Sequence, residues 1–172
     1  MTSSNSQIVR WLNLAGALTC IALLASAYYF EYEMFLDPCP MCIMQRIATL
    51  MVGVGCIVGF FAYRHYLTSL LAGIWTLASS IFGFYLSDHH RWLQSLPPDQ
   101  VPACGPSLEY MVEAFPLEQL ITVLLRGNGN CAEVSWSFWG LSMPFWLEIF
   151  FTGFIVASVV GIFLIIRQPK NS

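Results

Sequence analysis

The chain has 172 residues, 57% of them hydrophobic, 15% aromatic and only 10% charged, with a formal net charge of −3 at pH 7. That balance excludes an ordinary soluble globule, in which about a quarter of the residues are charged. Ten acidic against seven basic residues also leave no basic face for nucleic acid, and one integral membrane domain over residues 1–172 is expected.

In chain order, residues 1–9 read as a short polar tail without a motif. The first apolar run, Trp11 to Phe30, follows Arg10 and is long enough to cross roughly 30 Å of hydrocarbon. Ala25-Ser26-Ala27 within it resembles a small-residue cleavage site. The run nevertheless continues unbroken through Tyr28-Tyr29-Phe30, aromatics that suit an interfacial belt, so a retained span is expected. Three further runs, Ile43 to Tyr63, Leu67 to Leu86 and Phe145 to Ile166, make the predicted fold an all-α membrane protein. This is a four-helix transmembrane bundle with two outer loops, at about 31–42 and 87–144. Gly55 and Gly59, and then Gly153, Ala157 and Gly161, recur four apart, which lets helix backbones approach closely.

The first loop carries Pro38-Cys39-Pro40-Met41-Cys42. A C-x-x-C pair opening a helix places a thiol near free backbone N–H groups and the positive end of the helix dipole, which favours the reactive thiolate. Pro40 suits a helix start. Arg46, four residues beyond Cys42, returns to the same face one turn deeper and adds a fixed positive charge. Taken alone, the pair would equally serve as half of a zinc site or as an inert disulfide. Cys20 and Cys56 lie mid-span and read as small buried apolar residues, since thiolates are costly in hydrocarbon.

Tyr63-Arg64-His65-Tyr66 is a tight turn between antiparallel helices, with His65 solvated. After the third run, Ser87 to Trp92 returns polar groups to the interface. His89 and His90 are neighbours there, but adjacent helical positions point about 100° apart and bind one ion poorly, so no metal site is expected. The long second loop is rich in Pro and Gly, as functional loops of that length are. Within it, Leu117, Leu120, Ile121, Leu124 and Leu125 recur at helical spacing and predict a short amphipathic helix, lying on the membrane or packed on the rest of the loop. Cys104 sits among Pro102, Gly105 and Pro106 and reads as displayed. Cys131 follows Gly127-Asn128-Gly129-Asn130 and reads as mobile. Trp136, Trp139 and Trp146 mark re-entry into the membrane, with Glu148 near the top of the last span and within reach of the interface.

Arg10, Arg64, Arg167 and Lys170 share one side of this arrangement and none of the acids falls there, so that side is expected to be cytoplasmic. Cys39, Cys42, Cys104 and Cys131 then face an oxidising exported compartment, the periplasm in a bacterium, where disulfides persist.

These residues resemble a known family, the bacterial inner-membrane disulfide bond formation protein B, DsbB. The resemblance covers nearly the whole chain. It is carried by the four spans, Cys39-Pro40-Met41-Cys42 with Arg46, His90-Arg91-Trp92-Leu93-Gln94, Pro102-Ala103-Cys104-Gly105-Pro106, Asn130-Cys131-Ala132-Glu133 and Trp139-Gly140-Leu141-Ser142-Met143-Pro144. It implies an enzyme of the bacterial inner membrane, both termini cytoplasmic, that reoxidises a periplasmic DsbA-like thioredoxin-fold oxidase and passes the electrons to ubiquinone or menaquinone. Cys39, Cys42, Cys104 and Cys131 would be catalytic, and Arg46 and His90 would lie at the quinone. The chemistry is consistent, because DsbA is so oxidising, at about −120 mV, that only a strong electron sink can reoxidise it. The expected order is attack on Cys104, release of Cys131, transfer to the Cys39–Cys42 disulfide, and delivery from Cys42 beside Arg46. Competing readings are a quinone-coupled thiol oxidase with another partner and a four-span scaffold with purely structural loop disulfides. A four-cysteine zinc site is disfavoured because Cys104 and Cys131 form no second close pair.

Overall fold

A computed structural model describes residues 4–106 and 108–167; Lys170, counted above toward the charge asymmetry, lies outside them. Four long helices carry the fold: α1 (Ser4–Tyr32), α2 (Pro40–Phe61), α3 (Tyr66–Gln94) and, after the second loop, a last helix at Met143–Ile166. Between them the loop folds into α4 (Leu108–Ala114), α5 (Leu117–Arg126), the single turn α6 (Gly129–Ala132) and a hairpin of β1 (Ser137–Phe138) and β2 (Leu141–Ser142), which makes the last helix α7. All four long helices are long and apolar enough to cross a membrane. Even the shortest, with 22 residues, extends about 33 Å.

Two helices outrun their apolar cores. No Pro or Gly interrupts Ser4 to Trp11, so α1 begins seven residues earlier than the apolar run, and the expected polar tail is partly helix, with Ser6 and Val9 buried. At its start Arg10 lies 4.9 Å from the ring centres of both Phe60 and Tyr63, which joins the beginning of α1 to the end of α2. α3 continues two turns past Leu86, to Gln94. There Arg91 pairs with Asp88 at 3.1 Å and with Glu148 of α7 at 2.9 Å, and the helix stops at Ser95 before Pro97-Pro98. Glu148 is thus tied to α3.

The bundle packs through small residues, though not all those the spacing suggested. Gly16 and Gly53 admit Cys56 and Cys20 respectively, so the two mid-span cysteines act as reciprocal knobs between α1 and α2. Gly55 receives Thr76 and Trp75, and Gly59 receives Asn13. Gly153 and Gly161 meet nothing within 4 Å, and with Ala157 they line a cavity shared with α1 and α3 rather than a close helix contact. Several buried polar residues are satisfied within the bundle: Gln45 donates to Ser87 Oγ at 3.2 Å, and Thr49, Thr76, Ser80 and Ser87 each donate to the carbonyl four residues back, as suits polar groups in a span. α3 packs closely on α2 and α7, whereas α1 and α7 meet over a short seam.

At Gly83 of α3 any added methyl group would collide with the buried ring of Phe151 in α7. Gly83→Ala is therefore expected to destabilise the detergent-solubilised bundle by about 1–3 kcal/mol, read as a lowered thermal unfolding midpoint. An unchanged midpoint would mean that α3 and α7 are not in contact there.

Candidate active site

Pro40 decides where α2 begins, because its missing N–H costs nothing at the first helical position. Cys39 consequently becomes the N-cap, with extended backbone (φ −69°, ψ 163°). Its Sγ accepts from the Cys42 backbone N–H at 3.3 Å and lies 2.8 Å from Cys42 Sγ. Both are thiols in this structure. Closing them into a disulfide of about 2.05 Å requires a movement of under about 1 Å.

Cys131 arrives at the same place from the far end of the second loop. In this structure the Gly127-Asn128-Gly129-Asn130 run is folded into a hydrogen-bonded turn. Asn128 Oδ1 caps α6 by accepting from Asn130 N–H at 3.1 Å, Gly129 N–H donates to Ala103 O at 3.2 Å, and Asn130 Nδ2 donates to Gly105 O at 3.4 Å. A Cβ at Gly129 would stand 2.5 Å from the Pro102 carbonyl oxygen and 3.0 Å from Cys104 Sγ. Glycine is therefore required for close approach rather than for flexibility. The turn stitches the two cysteine-bearing segments of the loop together and buries Cys131 completely, while Cys104 stays exposed.

The Cys131 thiol lies close enough to Cys39 to interact with it. That interaction, followed by the one with Cys42 and then by burial, pushes the Cys39 thiol above the ordinary range. It is also the main reason why the Cys131 thiol is held down at about 7 against burial. A sulfur so stabilised as thiolate is a good leaving group.

His89 and His90 diverge as adjacent helical positions should. His89 stacks between Tyr85 and Trp92 and reaches Arg126 O at 3.1 Å. His90, only 3% exposed, turns inward, with Nε2 at 3.1 Å from Cys131 O and 3.7 Å from Cys39 Sγ. A carbonyl only accepts, so Nε2 carries the proton and Nδ1 is left as a buried acceptor without a partner. The ligand atoms of Cys39, Cys42 and His90 lie within 4.8 Å of one another. Their geometry is nevertheless wrong for zinc. Two sulfurs on a tetrahedral ion sit about 3.8 Å apart at zinc–sulfur lengths of about 2.3 Å, and His90 Nε2 is already committed.

One turn below Cys42, Arg46 is held by α1. Its Nη1 forms an ion pair with Glu31, its Nη2 donates to Ala27 O at 3.1 Å, and the guanidinium lies 5.1 Å from the Tyr28 ring centre. Arg46 is thus held against α1 by three contacts. Cys39, Cys42, Arg46, Glu31 and His90 all line a cavity of about 870 Å³, walled on its apolar side by Leu23, Leu24 and Leu147 at the α1–α7 seam. Its volume lies in the range of sites for small organic ligands. Nearby, Trp136 packs on Phe30 with ring centres 4.9 Å apart, and Phe138 of the hairpin bridges Trp136, Trp139 and Trp146.

The structure therefore brings together Cys39, Cys42, Cys131 and His90, sets Arg46 beneath them, and leaves Cys104 at the surface. Glu31 and Asn128 were not singled out in the sequence. An acid in an acidic loop and an Asn in a Gly-Asn run carry no spacing signal for an ion pair or a cap.

The model of the family described as disulfide bond formation protein DsbB matches residues 9–161. The chain belongs to the DsbB family. Similar relatives include disulfide bond formation protein B of Marinobacter nauticus, 39% identical over 92% of this chain and 93% of that protein. The protein of the same name from Methylococcus capsulatus is 46% identical over 81% and 85%, and disulfide bond formation protein B 1 of Pseudomonas aeruginosa is 34% identical over 88% and 93%. With four membrane-capable helices, this DsbB-family chain is a multi-pass membrane protein and a disulfide-forming oxidoreductase.

Proposed function

We propose that this DsbB-family protein reoxidises a periplasmic DsbA-like thiol oxidase and passes the electrons through Cys104–Cys131 and then Cys39–Cys42 to ubiquinone or menaquinone. The reading places it in the bacterial inner membrane with both termini cytoplasmic, in keeping with Arg10, Arg64 and Arg167 at the end of the bundle opposite the cysteines. The observation that carries it is the arrangement of three sulfurs, with Cys131 against Cys39 and Cys39 2.8 Å from Cys42, at the mouth of a cavity that also holds Arg46.

A quinone fits that cavity: apolar walls face the α1–α7 seam and a guanidinium that can donate to its carbonyl oxygens lies inside. When bound, a quinone supplies a sink for two electrons and two protons. Arg46 would hydrogen-bond its oxygens with the planar fork that lysine lacks, and Leu23, Leu24 and Leu147 would exclude water from the ring.

The protein's own part begins at the exposed Cys104. A partner thiolate attacks Cys104 Sγ, the Cys104–Cys131 bond breaks, and Cys131 leaves as a thiolate. Already against Cys39, Cys131 then attacks that sulfur and Cys42 leaves, next to the Arg46 cation and the α2 N-terminus. Cys131→Ser should trap the first stage. A DsbA-like partner with one reactive cysteine is expected to form a mixed disulfide with Cys104 that resolves at least about tenfold more slowly than in the parent, as read by non-reducing electrophoresis. Cross-linking to Cys39 in the protein with all four outer cysteines would contradict the order. The proposal as a whole is tested by oxidation of a reduced DsbA-like protein with and without added quinone. Quinone-independent oxidation at the full rate would reject it.

A further inference from the structure

Arg46 does not enter the cavity as a bare cation. Glu31 occupies Nη1, the Ala27 carbonyl occupies Nη2 at 3.1 Å, and the Tyr28 ring lies against the guanidinium at 5.1 Å. All three belong to α1, so a residue of α2 is positioned entirely by the neighbouring helix. Glu31 also lines the cavity itself, as Cys42 does, and the side chains of the Arg46–Glu31 pair are only 17% and 24% exposed. At that degree of shielding a carboxylate offsets much of its partner's field.

We propose that Glu31 is a positioning residue for the thiol-to-quinone step: its carboxylate aims Arg46 into the cavity and holds back part of the positive charge that Arg46 would otherwise exert on Cys42. The inference rests on the proposed role of Arg46. In the step itself, the Cys39–Cys42 S–S bond forms, two electrons pass to the quinone, and two protons follow. Each sulfur supplies one proton, with water supplying the second when Cys42 starts as a thiolate. Negative charge moves meanwhile from the Cys42 sulfur to the acceptor oxygens, with Arg46 beside both. An unopposed guanidinium would make the Cys42 thiolate plentiful but a poor nucleophile, because nucleophilicity falls with basicity. A paired guanidinium moderates both effects.

Other ionisable groups face the same space: Cys39 at the cap of α2, His90 of α3, and Asp37 and Glu133 from the loops; Cys131 of α6 also acts on Cys42. Among the described residues, only Glu31 forms an ion pair with Arg46. Asp37 and Glu133 therefore act on Cys42 at most directly, whereas Glu31 acts through Arg46 as well.

Glu31→Gln keeps an oxygen that can accept from Arg46 and removes the charge. In the fully reduced protein without quinone, alkylation of Cys42 by iodoacetamide is followed against pH, peptide by peptide, by mass spectrometry. The pH midpoint is expected to fall by about one unit, equivalent to a tenfold larger thiolate fraction below it, with the limiting rate at high pH lowered about threefold as the less basic thiolate loses nucleophilicity. Glu31→Asp should restore most of the parent midpoint. A midpoint that stays in place or rises overturns the proposal, as does a rate that increases uniformly at every pH, the mark of mere loosening. In steady-state assays Glu31→Gln should lower kcat several-fold without raising the KM for quinone; a raised KM with unchanged kcat would also overturn it. Because the alkylation needs no quinone, a parent protein without quinone-dependent turnover would remove the acceptor assignment alone and leave this measurement to stand or fall separately.

Discussion

Cys42→Ser is expected to lower steady-state, quinone-dependent oxidation of a DsbA-like partner by about a thousandfold or more, the scale on which loss of a reacting nucleophile acts. Among the four outer cysteines, only Cys42 has a fixed cation one helical turn below it and opens onto the cavity with that cation. Without its sulfur, Cys39 has no partner for a disulfide in the first loop. Its nearest remaining sulfur is that of Cys131, with which it is already in contact. The Cys104–Cys131 disulfide is then expected to rearrange, with Cys39 attacking Cys131 and Cys104 released as a free thiol. Up to one equivalent of partner dithiol should still react, in those molecules that keep the Cys104–Cys131 disulfide. Mass spectrometry of alkylated peptides would find a Cys39–Cys131 linkage accumulating in the variant. Retention of a tenth of the parent turnover would show that another sulfur delivers the electrons.

Arg46→Met is expected to raise the KM for quinone tenfold or more, about 1.4 kcal/mol of lost interaction, while the single-turnover reaction of the partner at Cys104 proceeds normally. As negative charge builds on an acceptor's oxygens, a guanidinium fixed in a water-poor cavity stabilises it more strongly than one in bulk water. The substitution also strands the Glu31 carboxylate, and an unpaired charge can mimic a lost contact. Arg46→Met combined with Glu31→Gln removes that ambiguity, since the double variant should keep the raised KM. Lysine should restore only part of the affinity, because it supplies charge without two parallel donors. Wild-type quinone dependence in Arg46→Met would mean that Arg46 serves only to bind α1 to α2.

The two halves of the site differed in how far local sequence could specify them. The first half was legible because its determinants are close in sequence. Pro40 between the cysteines sets the helix start, Cys39 therefore caps it, and a residue four positions on must return to the Cys42 face. Adjacent histidines had to diverge for the same reason of helical period. The four spans were equally legible, since hydrocarbon demands long unbroken apolar runs whatever the neighbours are. Their ends were not: α3 reaches Gln94 because Arg91 finds Glu148 on α7, a partner that hydropathy along one segment does not register.

By itself, then, the sequence determined a four-helix membrane protein with a redox pair at the mouth of its second helix, because helix period, proline geometry and the absence of water in the bilayer act locally. Only the tertiary structure decided that Cys131 is buried beside Cys39. Composition cannot distinguish a glycine that bends from one that admits the Pro102 carbonyl and Cys104 sulfur beside it. Only the tertiary structure, likewise, gave Arg46 its partner. Glu31 lies on a different helix, and the interaction that joins them depends on distance in space, for which the sequence between them carries no periodic signal.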